Sequence, residues 1–312
     1  MSADLNIAGT SGAEPLVCNI ILNLNGEEVL VEALESVERM TYRNFKTVVV
    51  DNGSTDGSQG TVRSRFPSVD LVEIGKNVGV MEGYNVGLRY GLEHAAEWLF
   101  LLNNDIILDP NLLTELMNVA SSDEKIGVLA PKIYYQSEPN KFWYAGGRIN
   151  YFAGIISHRG IREEDHGQYD HREDTEYITG CAMLIKREVI QKIGMLDLAF
   201  SPMYSEDADF SIRALRAGYR LVYVPKAKLW HKVSAFSGGG LTPLKTRLKV
   251  EHNFLIFKRY ARWYHWLTIP WCIAFVTSIF VLAELLKGNV GIISALVRGF
   301  VNVLRGSKPS KN

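Results

Sequence analysis

Apolar runs and amphipathic segments alternate through residues 17–133, and no other feature of the sequence constrains the fold as strongly. Runs of apolar and β-branched residues bounded by turn residues predict strands, and segments with apolar residues on one helical face predict helices. The predicted strands are 17–24, 45–50, 69–74, 98–102 and 126–133, and the predicted helices between them are 27–40, 58–66, 84–96 and 111–120. Because strands that alternate with helices join through right-handed crossovers, the pattern predicts an α/β fold with a mostly parallel sheet flanked by helices.

Polar residues cluster directly after four of these predicted strands. The clusters are Asn23 to Asn25, Asp51 to Ser54, Lys76 to Gly79 and Asn103 to Asp105. Sheets of this kind bind ligands beyond the carboxyl ends of their strands. The topology alone therefore predicts a binding site at this edge of the sheet.

The second half of the chain is less regular. Residues 136–176 are rich in Tyr, Gly, His and charge and lack a clear period, which predicts loops and irregular antiparallel strands. The elements expected further on are a strand at 178–186, a helix at 205–217 with Ser205 as its N-cap, and a strand at 221–224. The small residues at 234–240 predict a mobile loop.

Charge is distributed unevenly along a chain whose formal total is zero. The 34 Lys and Arg balance 34 Asp and Glu, which disfavours a nucleic-acid-binding protein. From Leu241 onward, however, eleven basic residues face only two acids, Glu251 and Glu284. A basic end of this kind indicates a surface that faces something anionic, such as a membrane leaflet.

An uncharged apolar stretch lies within this basic end. Residues 267–283 carry no charge, and as a helix they would reach roughly 25 Å, close to the thickness of a bilayer core. Aromatic residues crowd the start of the stretch, namely Trp263, Tyr264, Trp266 and Trp271. Residues 290–304 form a second, amphipathic stretch. We expect this region to associate with a membrane, and two helices packed on a globular body are the alternative.

The amino terminus and the cysteines bear on the compartment. The first fourteen residues hold no Lys or Arg and no continuous apolar run, so we expect a flexible leader rather than a secretory signal. Three widely spaced cysteines, Cys18, Cys181 and Cys272, cannot build a disulfide framework. Both observations favour a reducing, cytoplasmic compartment.

Three places carry residues suited to chemistry. Asp105 offers a carboxylate oxygen to a hard divalent cation, although an Asx turn that caps the next helix is the alternative. Glu206, Asp207 and Asp209 begin a predicted helix, either as ordinary N-terminal acids or as a group that contains a general base. His231 is either a packed histidine or a metal ligand. The absence of GxGxxG and GxxxxGK[ST] motifs excludes a Rossmann dinucleotide site and a P-loop.

Four segments, taken in order, resemble the family 2 glycosyltransferases, which have a GT-A fold, and in particular their rhamnosyltransferase-like branch. The segments are IILNLN at 20–25, VVVDNGSTDGS at 48–58, NVGVMEGYNVGLRYG through LNNDIILDP at 77–110, and TGCAMLIK through LVYVPKAKLWH at 179–231. They span about two thirds of the chain. The resemblance implies an enzyme that transfers a hexose or deoxyhexose, with inversion, from a nucleotide-sugar donor to a hydroxyl acceptor.

The resemblance also implies roles for particular residues. Donor contacts are implied for Asn23, Asn25, Asp51, Asn52, Gly53, Asn77, Gly79, Asn85, Asn103 and Asn104. The family's DxD motif falls on Asn103 to Asp105, so Asp105 is its only carboxylate, and His231 is the second implied ligand of a Mn²⁺ or Mg²⁺ ion. The family's ED motif falls on Glu206 and Asp207. Asp207 is the implied general base, with Glu206 and Asp209 positioning the acceptor or the base.

These roles divide the chain into regions. The expected regions are a leader at 1–14, a GT-A catalytic domain at 15–240 with a nucleotide-binding half (15–135) and an acceptor and catalytic half (136–240), and a basic membrane-associating helical tail at 241–312. The loop at 234–240 is expected to close over a bound donor.

The tail favours a lipid-linked or growing glycan acceptor at the cytoplasmic face of the cell membrane, in polysaccharide or glycolipid assembly. UDP-, dTDP- and GDP-sugars all stay open as donors, as does a homo-oligomer. A nucleotidyltransferase is one alternative, but residues 23–26 lack the Gly- and Arg/Lys-rich phosphate loop expected of it. A non-catalytic sugar-nucleotide-binding scaffold is another, favoured by Asn103 and opposed by Asp105, Asp207 and His231.

Overall fold

The computed structural model describes residues 14–233 and 241–306 and shows an α/β fold. The strands are β1 (Val17–Asn23), β2 (Phe45–Asp51), β3 (Asp70–Glu73), β4 (Trp98–Asn103), β5 (Ile106–Leu108), β6 (Ile126–Tyr135), β7 (Phe142–Tyr144), β8 (Gly147–Asn150), β9 (Ile155–His158), β10 (Glu173–Asp174), β11 (Ala182–Lys186) and β12 (Arg220–His231). The helices are α1 (Glu27–Glu38), α2 (Ser58–Arg65), α3 (Val80–Glu93), α4 (Leu112–Ala120), α5 (Arg187–Ile193), α6 (Glu206–Arg216), α7 (Pro243–Tyr260), α8 (Ile269–Leu286) and α9 (Val290–Leu304). The expected leader, apart from Glu14, and the loop at 234–240 lie outside the described residues.

The main sheet has the strand order β10-β12-β6-β11-β4-β1-β2-β3. Strands β3, β2, β1 and β4 are parallel neighbours. Strand β11 runs antiparallel between β4 and β6, and β12 lies parallel to β6 while its end also pairs with β5. A separate hairpin is formed by β8 and β9. The sheet is therefore mostly parallel, and the carboxyl ends of β1, β2, β4, β6 and β12 share one edge.

Helix α3 packs very closely against the sheet because glycines recur along one of its faces. A Cβ atom at Gly83 would lie 2.5 Å from Leu22, and one at Gly87 would lie 2.2 Å from Ile20. Real Cβ atoms do not approach so closely in a well-packed core, so this contact requires glycine. The close packing places the start of α3 beside the end of β1.

Three element boundaries differ from the sequence prediction by four residues or more. Strand β12 runs on to His231, well past residue 224, because an irregularity between Val224 and Lys228 interrupts its alternating pattern. Strand β11 begins at Ala182 rather than 178, and α3 begins at Val80, one turn before the predicted start.

Ser205 does not cap α6 in the way the sequence predicts. Its φ angle is +67° and its side chain makes no capping hydrogen bond. The preceding residue, Tyr204, also has a positive φ of +81°. Two successive left-handed residues are costly for side chains other than glycine and turn the chain sharply just before Glu206 and Asp207.

The three C-terminal helices differ in how they are packed. Helix α7 is joined to α6 through Asp209, which accepts hydrogen bonds from Arg259 (3.1 Å) and Tyr260 (2.6 Å). Helix α9 packs on α7, where a Cβ at Gly299 would lie 3.0 Å from Val250. Helix α8 is long and apolar enough to cross a membrane by length and composition, and only 11% of its residues are buried.

Candidate active site

A cleft of about 630 Å³ opens at the carboxyl-end edge of the sheet. Its position is the one that parallel α/β sheets use for ligands, as the polar clusters of the sequence predict. Nine residues singled out from the sequence line it: Asn52, Asn77, Gly79, Asn103, Asn104, Asp105, Glu206, Asp207 and His231. Leu22 and Leu24 also line it, so the fold brings residues from all four of the segments 20–25, 48–58, 77–110 and 179–231 into a single cavity.

Buried asparagines tie the loops of this edge together. Asn104 Nδ2 donates to Asn23 Oδ1 at 2.8 Å, which joins the ends of β4 and β1. Asn52 Oδ1 accepts from the main-chain N–H of Val78 at 2.9 Å, and its Nδ2 donates to the carbonyl of Gly79 at 3.3 Å. Because these amides hold main-chain groups, the edge is preformed before any ligand binds.

Asp51 and Gly53 shape the turn after β2 rather than lining the cleft. Asp51 is buried, and its Oδ1 accepts hydrogen bonds from the backbone of Gly53 (3.2 Å) and Ser54 (3.0 Å) and from Gln59 Nε2 (2.9 Å). Gly53 has φ +86°, and a Cβ there would lie 2.6 Å from the backbone of Lys76. Only glycine fits this turn, which lets the β2 and β3 loops touch.

Besides Asp51 and Gly53, three implied donor contacts are not among the residues that line the cleft: Asn23, which accepts from Asn104, and Asn25 and Asn85. Asn25 Oδ1 accepts from the backbone N–H of Thr55 at 2.6 Å, in the exposed rim of the edge. Asn85 is buried in α3 and uses both atoms of its amide on the main chain of Leu196, at 3.0 Å each. In this structure Asn85 therefore holds α3 to the segment before α6.

Asp105 and His231 form a buried acid–histidine pair at the centre of the cleft. The antiparallel pairing of β12 with β5 sets His231 opposite Ile106, next to Asp105. As a result, His231 Nε2 lies 3.1 Å from Asp105 Oδ1, and Asn103 Nδ2 lies 3.4 Å from the same nitrogen. The edge of the Trp143 ring covers the imidazole, with ring centroids 4.6 Å apart.

Burial and charge act in opposite directions on this pair. Burial disfavours the charge on Asp105, but the positive His231 side chain outweighs it and holds the pKa of the carboxyl below its ordinary value. Burial would lower the pKa of His231, but Cys181 and Asp105 beside it raise it above its ordinary value. Because burial raises the pKa of the Cys181 thiol, Asp105 is the charge beside the imidazole near pH 7. A divalent cation bound by this pair would displace the imidazole proton, since a histidine that ligates a metal is neutral.

The pair fits a divalent cation that takes most of its ligands from elsewhere. His231 Nδ1 is buried and makes no hydrogen bond, and the neighbour of Asp105 Oδ1 is His231 Nε2 at 3.1 Å. The described part of the chain has no group of three or more His, Cys, Asp or Glu side chains that could hold a metal ion. Mg²⁺ and Mn²⁺ are commonly held by one or two protein ligands together with water and substrate phosphates, so the two side chains suffice for such an ion.

Glu206 and Asp207 form the second pair of ionisable side chains in the cleft, and their surroundings give the two carboxyls different pKa values. Burial and the charge of Asp207 raise the pKa of Glu206 to about 8. Burial also raises the pKa of Asp207, against the helix-start expectation of an ordinary ionised acid, but the N–H groups of Gly180 (3.1 Å) and Ala208 (2.8 Å) oppose this. Asp207 therefore ionises first, while Glu206 keeps its proton near pH 7.

Asp209 is not beside these two acids, although the sequence places all three at one helix start. It is fully buried on the opposite side of α6 and receives Arg213 Nε at 2.8 Å, in addition to Arg259 and Tyr260. All the described partners of Asp209 are structural, so it joins α6 to α7 and does not face the cleft.

The sequence reading missed three side chains that line the cleft. His158 donates from Nδ1 to the carbonyl of Trp143 (3.0 Å), and burial lowers the pKa of His158 to about 4, so this imidazole is neutral. Tyr84 hydrogen-bonds Asn103 Oδ1 at 3.1 Å. Lys249 reaches the cleft from α7, which shows that the predicted tail contributes to the site. Tyr84 lies in the family-like segment 77–110 without an implied role, whereas His158 and Lys249 lie outside all four segments and reach the cleft only through contacts between distant elements.

Comparisons with known proteins show which family the sequence resembles. The sequence matches the family described as "Glycosyl transferase family 2" over residues 18–194. An N-acetylglucosaminyl-diphospho-decaprenol L-rhamnosyltransferase of Mycobacterium tuberculosis is 27% identical over 250 residues, which cover 74% of this chain and 80% of that protein. An uncharacterized protein of Sinorhizobium fredii, y4gI, is 27% identical over 259 residues; the match covers 77% of this chain but only 27% of that relative.

A solved structure shares the architecture at low sequence identity. The mannosyltransferase PcManGT of Pyrobaculum calidifontis, in complex with GDP-Man and Mn²⁺, superimposes with a TM-score of 0.60. It is 18% identical, and the match covers 96% of this chain and 90% of that one. At this identity the likeness shows the GT-A fold.

Proposed function

Because the chain belongs to glycosyl transferase family 2, we propose that this glycosyltransferase moves a sugar from a nucleotide-sugar donor to a hydroxyl of a lipid-linked glycan, with inversion and with help from a divalent metal ion. The observation that carries the proposal is the meeting of two pairs of ionisable side chains in one cleft, Asp105 with His231 and Glu206 with Asp207. One pair suits a cation and diphosphate, and the other suits proton transfer.

Asp207 acts as the general base in this proposal. Inversion by a single displacement requires one group that accepts the proton of the attacking hydroxyl and needs no enzyme nucleophile. Asp207 ionises before Glu206 and is fixed by two backbone N–H groups, and a carboxyl with a raised pKa is a stronger base than an ordinary one. Glu206, which keeps its proton, can donate a hydrogen bond to the acceptor or to the donor sugar.

The donor lies along the asparagine-rich edge, with its diphosphate towards Asp105 and His231. When bound there, a Mn²⁺ or Mg²⁺ ion would neutralise the charge that develops on the leaving nucleoside diphosphate. The Mn²⁺ in the mannosyltransferase neighbour supports this assignment. Asn52, Asn77 and Gly79 form the wall along which the nucleotide would lie.

The acceptor and the location are argued from the C-terminal helices and the relatives. Helix α8 exposes apolar side chains, with Phe275 at 68% and Trp271 at 77% exposure, and the region from Leu241 onward is basic. Such a surface fits an anionic, cytoplasmic leaflet. The mycobacterial relative is named for a decaprenol-linked acceptor, which supports a lipid carrier for this chain too.

A donor-binding screen tests the proposal. UDP-, dTDP- and GDP-sugars are titrated with Mn²⁺, with Mg²⁺ and with chelator, against the wild type and Asp207→Asn. We expect one donor to bind in a metal-dependent way, and Asp207→Asn to keep that affinity while turnover falls by about 10²- to 10⁴-fold. Absence of binding by every donor, with and without metal, would contradict the proposal.

A further inference from the structure

We propose that the acceptor is carried on a hydrocarbon chain, and that this chain occupies a second, apolar cavity beside the catalytic cleft. The cavity has a volume of about 460 Å³ and lies between the β8–β9 hairpin and helices α7, α8 and α9. Its apolar walls include Ile155, Phe254, Ile273, Val276, Leu296 and Phe300. The inference rests on the proposed function, because it locates the acceptor of that reaction.

The cavity and the cleft meet at the catalytic acids. Tyr204, Glu206, Asp207 and Lys249 line both of them. A donor that fills the cleft reaches the acids from the sheet edge. An acceptor that places its hydroxyl at Asp207 must then approach from the other side, where the walls are apolar.

Helix α8 separates this cavity from the exterior and is apolar on both faces. Ile273, Val276 and Thr277 face the cavity, whereas Phe275 and Ile279 on the outer face are 68% and 55% exposed. A helix that is apolar all round belongs either in a protein core or in lipid. Little of α8 is buried by protein, so a hydrocarbon chain could pass from a bilayer into the cavity without crossing water.

The inner wall of the cavity is fixed by specific contacts. The turn of the β8–β9 hairpin accepts a hydrogen bond from Asn253 Nδ2 at the carbonyl of Gly154 (3.0 Å) and another from Thr268 at the carbonyl of Phe152 (2.6 Å). A Cβ at Gly154, where φ is +69°, would lie 3.1 Å from Ile269. These contacts hold the hairpin against the C-terminal helices, so the cavity between them is a defined part of the fold.

Lys249 stands where the apolar cavity meets the acids. Its ammonium group lies 5.2 Å from the ring centre of Tyr204. Burial and the neighbouring Lys245 lower the pKa of Lys249 because both disfavour its positive charge. An anion bound beside Lys249 would therefore stabilise the ammonium group. A lipid carrier that ends in phosphate would present this anion between its hydrocarbon chain and the sugar, and we assign Lys249 to it.

Photocrosslinking to the full-length protein tests the cavity without requiring turnover. The probe is farnesyl diphosphate with a benzophenone at its last isoprene unit, added to protein in detergent, and labelled peptides are identified by mass spectrometry. We expect labels on the cavity-facing residues of β9, α8 and α9. Thr277→Trp should reduce labelling at least fivefold by filling the cavity, with Val276→Trp as the substitute if that variant does not fold.

The matched control is Ile279→Trp, on the same helix but on its exposed outer face. This variant should label like the wild type. Labels confined to the outer face of α8, labels that link two copies of the chain, or labelling that Thr277→Trp leaves unchanged would each overturn the proposal.

Two further readouts separate this proposal from its premise and from the role of Lys249. Intact metal-dependent donor binding without cavity labelling would reject the cavity and leave the proposed function standing, whereas failure of donor binding alone would reject the function. Lys249→Gln should weaken labelling by the diphosphate probe at least threefold and leave labelling by the corresponding farnesol probe unchanged. An equal loss with both probes, or no loss with either, would overturn the assignment of Lys249 to the phosphate.

Discussion

The two sides of Glu206 and Asp207 are built in contrasting ways. On the side proposed for the donor, loops at the ends of parallel strands are joined by buried amides, such as Asn104 to Asn23 and Asn52 to the backbone of Val78. On the other side, a hairpin and three helices enclose an apolar cavity with few polar contacts. A polar ligand with a fixed shape suits the first construction, and a flexible apolar one suits the second.

The contrast shows that helix α6 is the element shared by the two sides. Its first turn presents Glu206 and Asp207 to both cavities, while Asp209, two residues later, holds the C-terminal helices in place. Substitutions that affect only the polar cleft or only the apolar cavity would support this division of the molecule. A substitution that disturbs the cleft and the cavity equally would contradict it.

The largest stability effect is expected at Asp209. Asp209→Asn removes a buried charge that pairs with Arg213 and Arg259, and should lower the free energy of unfolding by about 3 kcal/mol. The matched control is Asp197→Asn, which breaks a partly exposed pair with the same Arg259 and should cost less than about 1 kcal/mol. Denaturant titration of both variants provides the comparison, and equal losses would contradict the anchoring role of Asp209.

A smaller loss is expected at Asn85, and it should leave the donor site intact. Asn85→Ala leaves the buried N–H and carbonyl of Leu196 without hydrogen-bond partners, which should lower the free energy of unfolding by about 1–3 kcal/mol. Donor affinity per folded molecule should stay within about twofold of the wild type, as measured by calorimetry. A tenfold loss of affinity in a stably folded variant would restore the direct donor contact implied by the family resemblance.

The smallest effect concerns pH and Glu206. Its folded pKa of about 8 exceeds that of the unfolded chain, near 4.5, so the unfolded state releases its proton first as pH rises. Stability should therefore fall between about pH 5 and pH 8, by about 1 kcal/mol from this group because it opens onto the cleft. Thermal melts across this range should show a shallower fall in Glu206→Gln, and identical slopes would mean that Glu206 ionises normally in the fold.

The fold and the polar cleft at the edge of the sheet were predictable because their signals are local. Strand β2 and the turn after it, for example, lie in one continuous segment that ends at Asp51 to Ser54. The parallel topology then brings the carboxyl ends of the strands to the same edge of the sheet. The resemblance implied which residues would meet, and Asp105, Asp207 and His231 do line one cleft. Whether they hold the metal and move the proton stays a prediction.

The rest depends on contacts between distant segments. Nothing local distinguishes Asp209 from Asp207, because only two residues, about half a helical turn, separate a side chain facing the cleft from one facing α7. Likewise, α7 was expected in a tail, yet it supplies Lys249 to the cleft, and its His252 donates to the carbonyl of Met203 at 2.8 Å. The β12 irregularity that carries His231 to the site also hides its strand pattern.

The most direct test of the account is the anomeric configuration of the product. With the donor identified by the binding screen, the new glycosidic bond is assigned by nuclear magnetic resonance from its one-bond carbon–hydrogen coupling at the anomeric carbon. A single displacement assisted by Asp207 predicts the configuration opposite to that of the donor. Retention would contradict it, because two displacements or a front-face attack would then be required.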